Sequence, residues 1–177
     1  MRIGRIMSGL GILLIASVGA FAQQVSTDYD HAANFANYKT YSWAKLEIPN
    51  PLWQGRIQGY IDSQLEAKGW TKAGTGGDAS VVAISTTQQK QQLNTFYNGM
   101  GGGWRFGGGM GMSTTNTSSY TVGTLVVDIF DAKTKGLIWR GTAGDTLSDK
   151  ADKNEKTVTK AVEKLFEKFP PGADTKK

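Results

Sequence analysis

The chain has no cysteine, one histidine and four prolines among 177 residues. Without cysteine there is no disulfide, no zinc–thiolate centre, no thiol nucleophile and no acceptor for an amino-terminal lipid. With His31 alone, and no G-x-S-x-G elbow, a Ser-His-Asp triad has no foundation. A histidine metal site needs several ligands, and one imidazole among scattered carboxylates supplies too few. His31 reads as a surface loop residue, and no metal or other cofactor is expected. Charge is also scarce. The formal net charge is +5, and setting aside Arg2 and Arg5 leaves +3, too little to argue for a nucleic-acid partner.

A long apolar run is missing as well. "IMSGLGILLIASVGA" follows Arg2 and Arg5, but it is shorter than the roughly 20 strongly apolar residues of a spanning helix. "QQVSTDYD" after it carries no basic stop-transfer cluster. Ala20 and Ala22 offer the small residues that a signal peptidase reads. Residues 1–22 are therefore expected to be a signal peptide, and residues 23–177 one exported domain. That domain would be periplasmic or secreted, free of a lipid anchor, and without a transmembrane segment after processing. Its length suffices for a core without covalent staples.

Glycine, by contrast, is abundant. "NGMGGGWRFGGGMGM", Asn98 to Met112, holds eight glycines around Trp104, Arg105 and Phe106. A phosphate loop needs a lysine followed by Ser or Thr, and this segment has no lysine. The G-x-G-x-x-G spacing is absent too, and the Gln, Ser, Thr and Asn around it open no helix. The segment reads instead as a hairpin tip, residues 98–119, between two extended strands. As a plain loop it needs no role. As an interaction tip, Trp104 and Phe106 would anchor a partner and Arg105 would contact an anion, since aromatics and arginine are the common interface anchors.

The rest of the chain alternates strands with two helices. Val25 to Tyr29 suits an edge strand, and Tyr41 and Trp43 share a strand face. A helix over "NPLWQGRIQGYIDSQLEAKG" has Asn50 as its cap, Pro51 in its first turn and Gly69 at its end. Its apolar stripe is Trp53, Ile57, Tyr60, Ile61 and Leu65. "ASVVAISTTQQKQQLNTF" is a long strand that turns polar after Ser85. "YTVGTLVVDIFDA" and "LIWRGTAGDTL" follow, joined by the tight "DAKTKG". The last helix has Asp152 and Glu155 as a capping box, and Val158, Ala161, Val162, Leu165, Phe166 and Phe169 at helical spacing. Pro170 and Pro171 stop it. The expected fold is α+β in two layers: an antiparallel sheet with two amphipathic helices on one face.

Two charged patterns remain. Asp28 and Asp30 would share a strand face, but no calcium-loop spacing and no third acid accompany them, so turn capping suits Asp30 better. Lys156, Lys160, Lys164 and Lys168 form a basic stripe on the last helix. Glu163 and Glu167 stand near enough for local pairing on a solvated face, although such a stripe can also touch anionic lipid.

Two blocks carry a resemblance. Asp28, Tyr29, Asp30, Phe35, Tyr41 and Trp43 form the first; Gly123 to Asp128, Asp131, Ala132 and Trp139 to Gly141 form the second. In that order they resemble the domain-of-unknown-function family numbered 4136, over Val25 to about Pro170. The resemblance implies an exported bacterial envelope protein with no established activity. Many members are lipoproteins, but this chain lacks the lipid-carrying cysteine. It assigns no catalytic role to any of these positions. Trp43 and Trp139 suit the core, while Gly123 and Gly141 suit crowded or bent strand positions. The expectation is a non-enzymatic binding or assembly module with an envelope protein, lipid or cell-wall partner. A carboxylate-dependent envelope hydrolase and a purely structural envelope protein are the alternatives.

Overall fold

The computed structural model describes residues 23–97 and 113–171. The expected signal peptide and the residues Trp104, Arg105 and Phe106 lie outside the described residues. In chain order the elements are β1 (Gln24–Tyr29), a 3-10 turn (Phe35–Asn37), β2 (Thr40–Glu47), α1 (Pro51–Ala67) and β3 (Thr71–Lys72). There follow β4 (Ala79–Tyr97), β5 (Ser113–Asp131), β6 (Leu137–Leu147) and α2 (Ala151–Phe166). The described strands form one open sheet in the order β1-β6-β5-β4-β2-β3. Ala79, Val81 and Ala83 of β4, and Leu125, Val127 and Ile129 of β5, are buried in one core with Ile57, Ile61 and Leu65 of α1 and Val162, Leu165 and Phe166 of α2. The α+β class is as expected.

The pairing differs in one respect. β4–β5, β5–β6 and β1–β6 are antiparallel, but β2 runs parallel to both β3 and β4, so the sheet is mixed. A helix lies between β2 and β4, and a helical crossover is the connection that returns a chain parallel to its start. A bulge between Trp43 and Lys45 shifts the β2–β4 register.

Local chemistry explains the helix ends. Asn50 Oδ1 accepts the Leu52 N–H at 2.9 Å, and Gly69 leaves α1 with φ +84, a conformation that suits a residue without Cβ. The expected capping box on α2 does not form. The cap position is Lys150, which has no side chain able to accept, and it makes no capping bond. Ser148 and Asn154 brace the entry instead: Ser148 N–H donates to Asn154 Oδ1 and Asn154 Nδ2 to the Ser148 carbonyl, both at 2.7 Å. Glu155 is turned to α1, accepting from the Tyr60 hydroxyl at 3.0 Å and from Arg56 at 3.5 Å. α2 ends at Phe166, so Phe169 lies beyond it. That ring is still 2% exposed and packs 5.2 Å from Trp70, 5.3 Å from Trp139 and 5.9 Å from Phe35.

β4 and β5 outrun the rest of the sheet. β6 pairs with β5 only as far as Thr121, whereas β4 and β5 stay in register from Ala79↔Asp131 to Tyr97↔Ser113. The eight pairs from Lys90↔Tyr120 to Tyr97↔Ser113 make a two-stranded ribbon about 25 Å long, at roughly 3.4 Å per residue. Residues 113–119 are therefore strand and not part of a hairpin tip. Their serines and threonines extend the ladder, threonine being well suited to extended backbone.

Candidate functional site

The carboxylates were the sequence's candidates for chemistry, and each described one in the family blocks has a structural task. Asp28 is exposed on β1, its Oδ1 taking the N–H of Tyr29 at 2.9 Å. Asp30 closes a turn by accepting the Ala32 N–H at 2.8 Å. The exposed ring of Tyr29 lies 4.4 Å from that of His31 and 6.1 Å from that of the buried Phe35. Asp131 organises the β5–β6 turn, accepting from the N–H groups of Lys133 and Thr134 at 2.7 Å and from the Tyr38 hydroxyl at 2.8 Å. The backbone N–H of Thr134 and the Tyr38 hydroxyl hold it at about 2, below the ordinary 3.8.

Asp128 faces away from the helices, 8% exposed, and takes two bonds of 2.7 Å from the Arg140 guanidinium. Arg140 is also in register with Asp28 on its other side. The geometry is the paired fork that arginine makes with a carboxylate. Trp139 and Gly141 lie in the core, with the indole close against the glycine. Gly123 faces the helices, where a Cβ would meet the Leu147 side chain at 3.1 Å.

Two organising residues were missed in the sequence. Asp62 of α1 accepts from Tyr41 Oη and Trp43 Nε1 at 2.8 Å, and from Lys72 Nζ at 2.7 Å. Tyr41 is fully buried; burial, then the bond to Asp62, push its phenol far above the usual range. Trp43 is half-buried: it packs against the edge of the core while its indole N–H reaches that carboxylate. Asp78 ties β2 to β4 by accepting the N–H groups of Lys39 and Thr40 and the Thr40 hydroxyl, at 3.0, 2.9 and 2.8 Å. These bonds hold its carboxyl below the usual range. The only signal available was position: Asp62 follows Ile61 at the border of the apolar stripe, and Asp78 directly precedes a strand.

The basic stripe stands free. Lys156, Lys160, Lys164 and Lys168 are exposed, and the expected pairs with Glu163 and Glu167 are not among the ion pairs of the described residues. No group of three or more His, Cys, Asp or Glu that could hold a metal ion occurs among the described residues. None of their helices is long and apolar enough to cross a membrane.

One concavity has a different character. A cavity of about 350 Å³ opens between the helices and the sheet, at the end from which the ribbon departs. Trp53 and Ile57 of α1, Val158 and Ala161 of α2, and Leu125 and Leu147 of the sheet form its walls. Ser85 and Thr87, which share the helix-facing side of β4, are polar members of its lining. Its volume lies in the range of small-ligand sites, roughly 300–1,000 Å³. A second hollow of about 500 Å³ is lined by Tyr29, His31, Lys39 and Lys68 among others; there Lys68 Nζ is engaged with the Glu167 carbonyl at 3.2 Å.

Fold and site together define a two-layer α+β domain whose motif carboxylates brace turns and strands, with a projecting ribbon and an apolar cavity. The chain belongs to the family described as domain of unknown function (DUF4136), whose profile matches residues 25–171. No functionally curated protein matches it. Among solved structures it is similar to a PDZ domain protein from Parabacteroides distasonis, at 15% identity and a TM-score of 0.57. The match covers 84% of this chain and 36% of the other, so this chain spans about a third of that protein. The PelC dodecamer from Paraburkholderia phytofirmans is similar at 13% identity and a TM-score of 0.48, covering 81% of this chain and 94% of that one. At these identities the likeness to the PDZ domain protein is one of fold.

Proposed function

We propose that this protein is a non-enzymatic binding module of the cell envelope, which uses its ribbon to engage a protein, lipid or cell-wall partner. The observation that carries this reading is the ribbon of eight β4–β5 pairs beyond the end of β6. Ordering backbone costs about 1–2 kcal/mol per residue, and an isolated two-stranded hairpin is marginal in water. The stretch from Thr86 to Gln91 is exposed, so it adds little apolar burial to the body of the domain. Both of its edges leave backbone groups open to a further strand. Trp104, Arg105 and Phe106 follow from the same two strands in sequence. Export rests on the character of residues 1–22, with their basic start, apolar stretch and small-residue end.

The test joins Lys90 to Tyr120 through Asn-Gly, a two-residue turn that fits a hairpin, and compares Trp104→Ala with Phe106→Ala in the otherwise complete protein. Pull-down from an envelope extract and flotation with liposomes are the readouts. Both variants should keep the wild-type melting temperature and lose capture. Unchanged capture by the ribbonless protein overturns the proposal.

A further inference from the structure

The 350 Å³ cavity carries an inference independent of the ribbon. Its walls are the side chains of Trp53, Ile57, Leu125, Leu147, Val158 and Ala161. Apolar cavities offer water few partners and favour an apolar occupant. Gly123 helps to keep the space open: with no side chain there, Leu147 lies against the strand, where a Cβ would crowd its Cδ1 at 3.1 Å. One lining residue among those described is ionisable. Asp145 shares the helix-facing side of β6 with Ala143 and Leu147, in register with Gly123. Its Oδ1 accepts the Thr146 N–H at 2.7 Å, and its Oδ2 has no partner among the described residues. Among the described residues no lysine, arginine or histidine lines the cavity. Thr87, exposed and on the helix-facing side of β4, lies at the rim.

We propose that this cavity takes the alkyl chain of a single-chain amphiphile whose head group is an amine or an uncharged hydroxyl. The chain lies between the two helices and the sheet, against Trp53 and Val158. The head stays at the rim, where Asp145 accepts from it and the Thr87 hydroxyl accepts from or donates to it. A carboxylate or phosphate head meets Asp145 as a like charge with no cation in the lining to offset it, and binds less well.

The experiment uses the purified protein and N-phenyl-1-naphthylamine as a neutral fluorescent probe, displaced by alkyl compounds below their micelle concentrations. The probe should bind saturably at one site. Decylamine should displace it at concentrations up to about fivefold below decanoate, the ratio expected for one weak ionic contact, and decanol should fall between the two. Decylamine should outcompete octylamine by about fourfold per added methylene. Asp145→Asn should narrow the gap between decylamine and decanoate. Val158→Trp, which fills the cavity, should abolish probe binding. Thr157→Trp, on the helix surface of the same lining, serves if the first variant fails to fold. No saturable probe binding, or unchanged binding in a folded tryptophan variant, overturns the site. Decanoate binding as tightly as decylamine overturns the head-group assignment. The Lys90–Tyr120 shortened protein should bind the probe as wild type does, so failure of the ribbon reading and failure of this one are read separately.

Discussion

The indole of Trp139 lies across Gly141, two residues further along the same strand. A Cβ at Gly141 would stand 2.5 Å from Trp139 Cη2 and 2.8 Å from Leu165 Cδ2, distances that no carbon contact tolerates without movement. Trp139 is 2% exposed and Leu165 1%, so neither has room to yield. Gly141→Ala is expected to cost about 1–3 kcal/mol, the usual penalty for forcing atoms into a packed core. Gly144→Ala, three residues on, meets nothing closer than 3.9 Å and should stay within about 0.5 kcal/mol of wild type. Urea denaturation measures both. Equal midpoints for the two variants would contradict the crowding at Gly141.

Asp62 is the shared acceptor for Tyr41, Trp43 and Lys72, and the cost of cutting the network should depend on which side is cut. Tyr41→Phe removes one donor and leaves Asp62 with two others, an expected loss of about 1 kcal/mol. Asp62→Ala strands the buried Tyr41 hydroxyl and the Trp43 indole N–H together, with an expected loss of up to about 3 kcal/mol. Thermal unfolding of the two variants decides it: a Tyr41→Phe protein as unstable as Asp62→Ala would show that Asp62 is not the hub.

Asp131 and Tyr38, joined by a hydrogen bond, each set a limb at one end of the pH profile. The Thr134 N–H and the Tyr38 hydroxyl depress Asp131 to about 2. Its ionised form is favoured in the folded chain, so its contribution is complete above the unfolded value of 3.8 and fades as pH falls to about 2. Burial, then the bond to Asp131, raise Tyr38 from 10.0 to about 12. Its neutral form is favoured on folding, so that contribution is complete below pH 10 and fades as pH rises to about 12. Melting temperature should drop in both windows. Asp131→Asn should flatten the acid limb, and Tyr38→Phe the alkaline one. An acid limb unchanged in Asp131→Asn would refute the assignment.

α1 was legible in full because its punctuation is local: Asn50, Pro51 and Gly69 each act within one turn. β6 was equally plain, since Leu137 to Leu147 is bounded by turn residues on both sides. The parallel placing of β2 was not legible, because strand periodicity records which side chains share a face and not which neighbour the backbone joins. The Asp152–Glu155 box failed for a related reason. Glu155 found Tyr60 and Arg56 across the helix pair, and such partners are invisible to spacing within one helix. The family residues were located, and the turn that Asp131 organises is local, yet its third donor, Tyr38, is far away in sequence. The cavity was least legible of all. It is made as much by what Gly123, Ala143 and Ala161 lack as by any residue that could be read as a motif.

The place of β1 has a consequence for the order in which the chain can assemble. Among the described strands its one ladder is with β6, where Gln24 meets Gly144 and Tyr29 meets Trp139. β4, β5 and β6, by contrast, are joined to their neighbours through successive connections. A chain that has emerged only as far as Gly136 holds β1 complete and without a neighbour. The opening strand is thus a latch, thrown only after the last strand has arrived, and the sheet stays one strand short on that side until then. Closing that long loop is the slow kind of contact, and the hairpins are the fast kind. Any cut that removes β6 therefore also releases the amino terminus, however far apart the two lie in sequence.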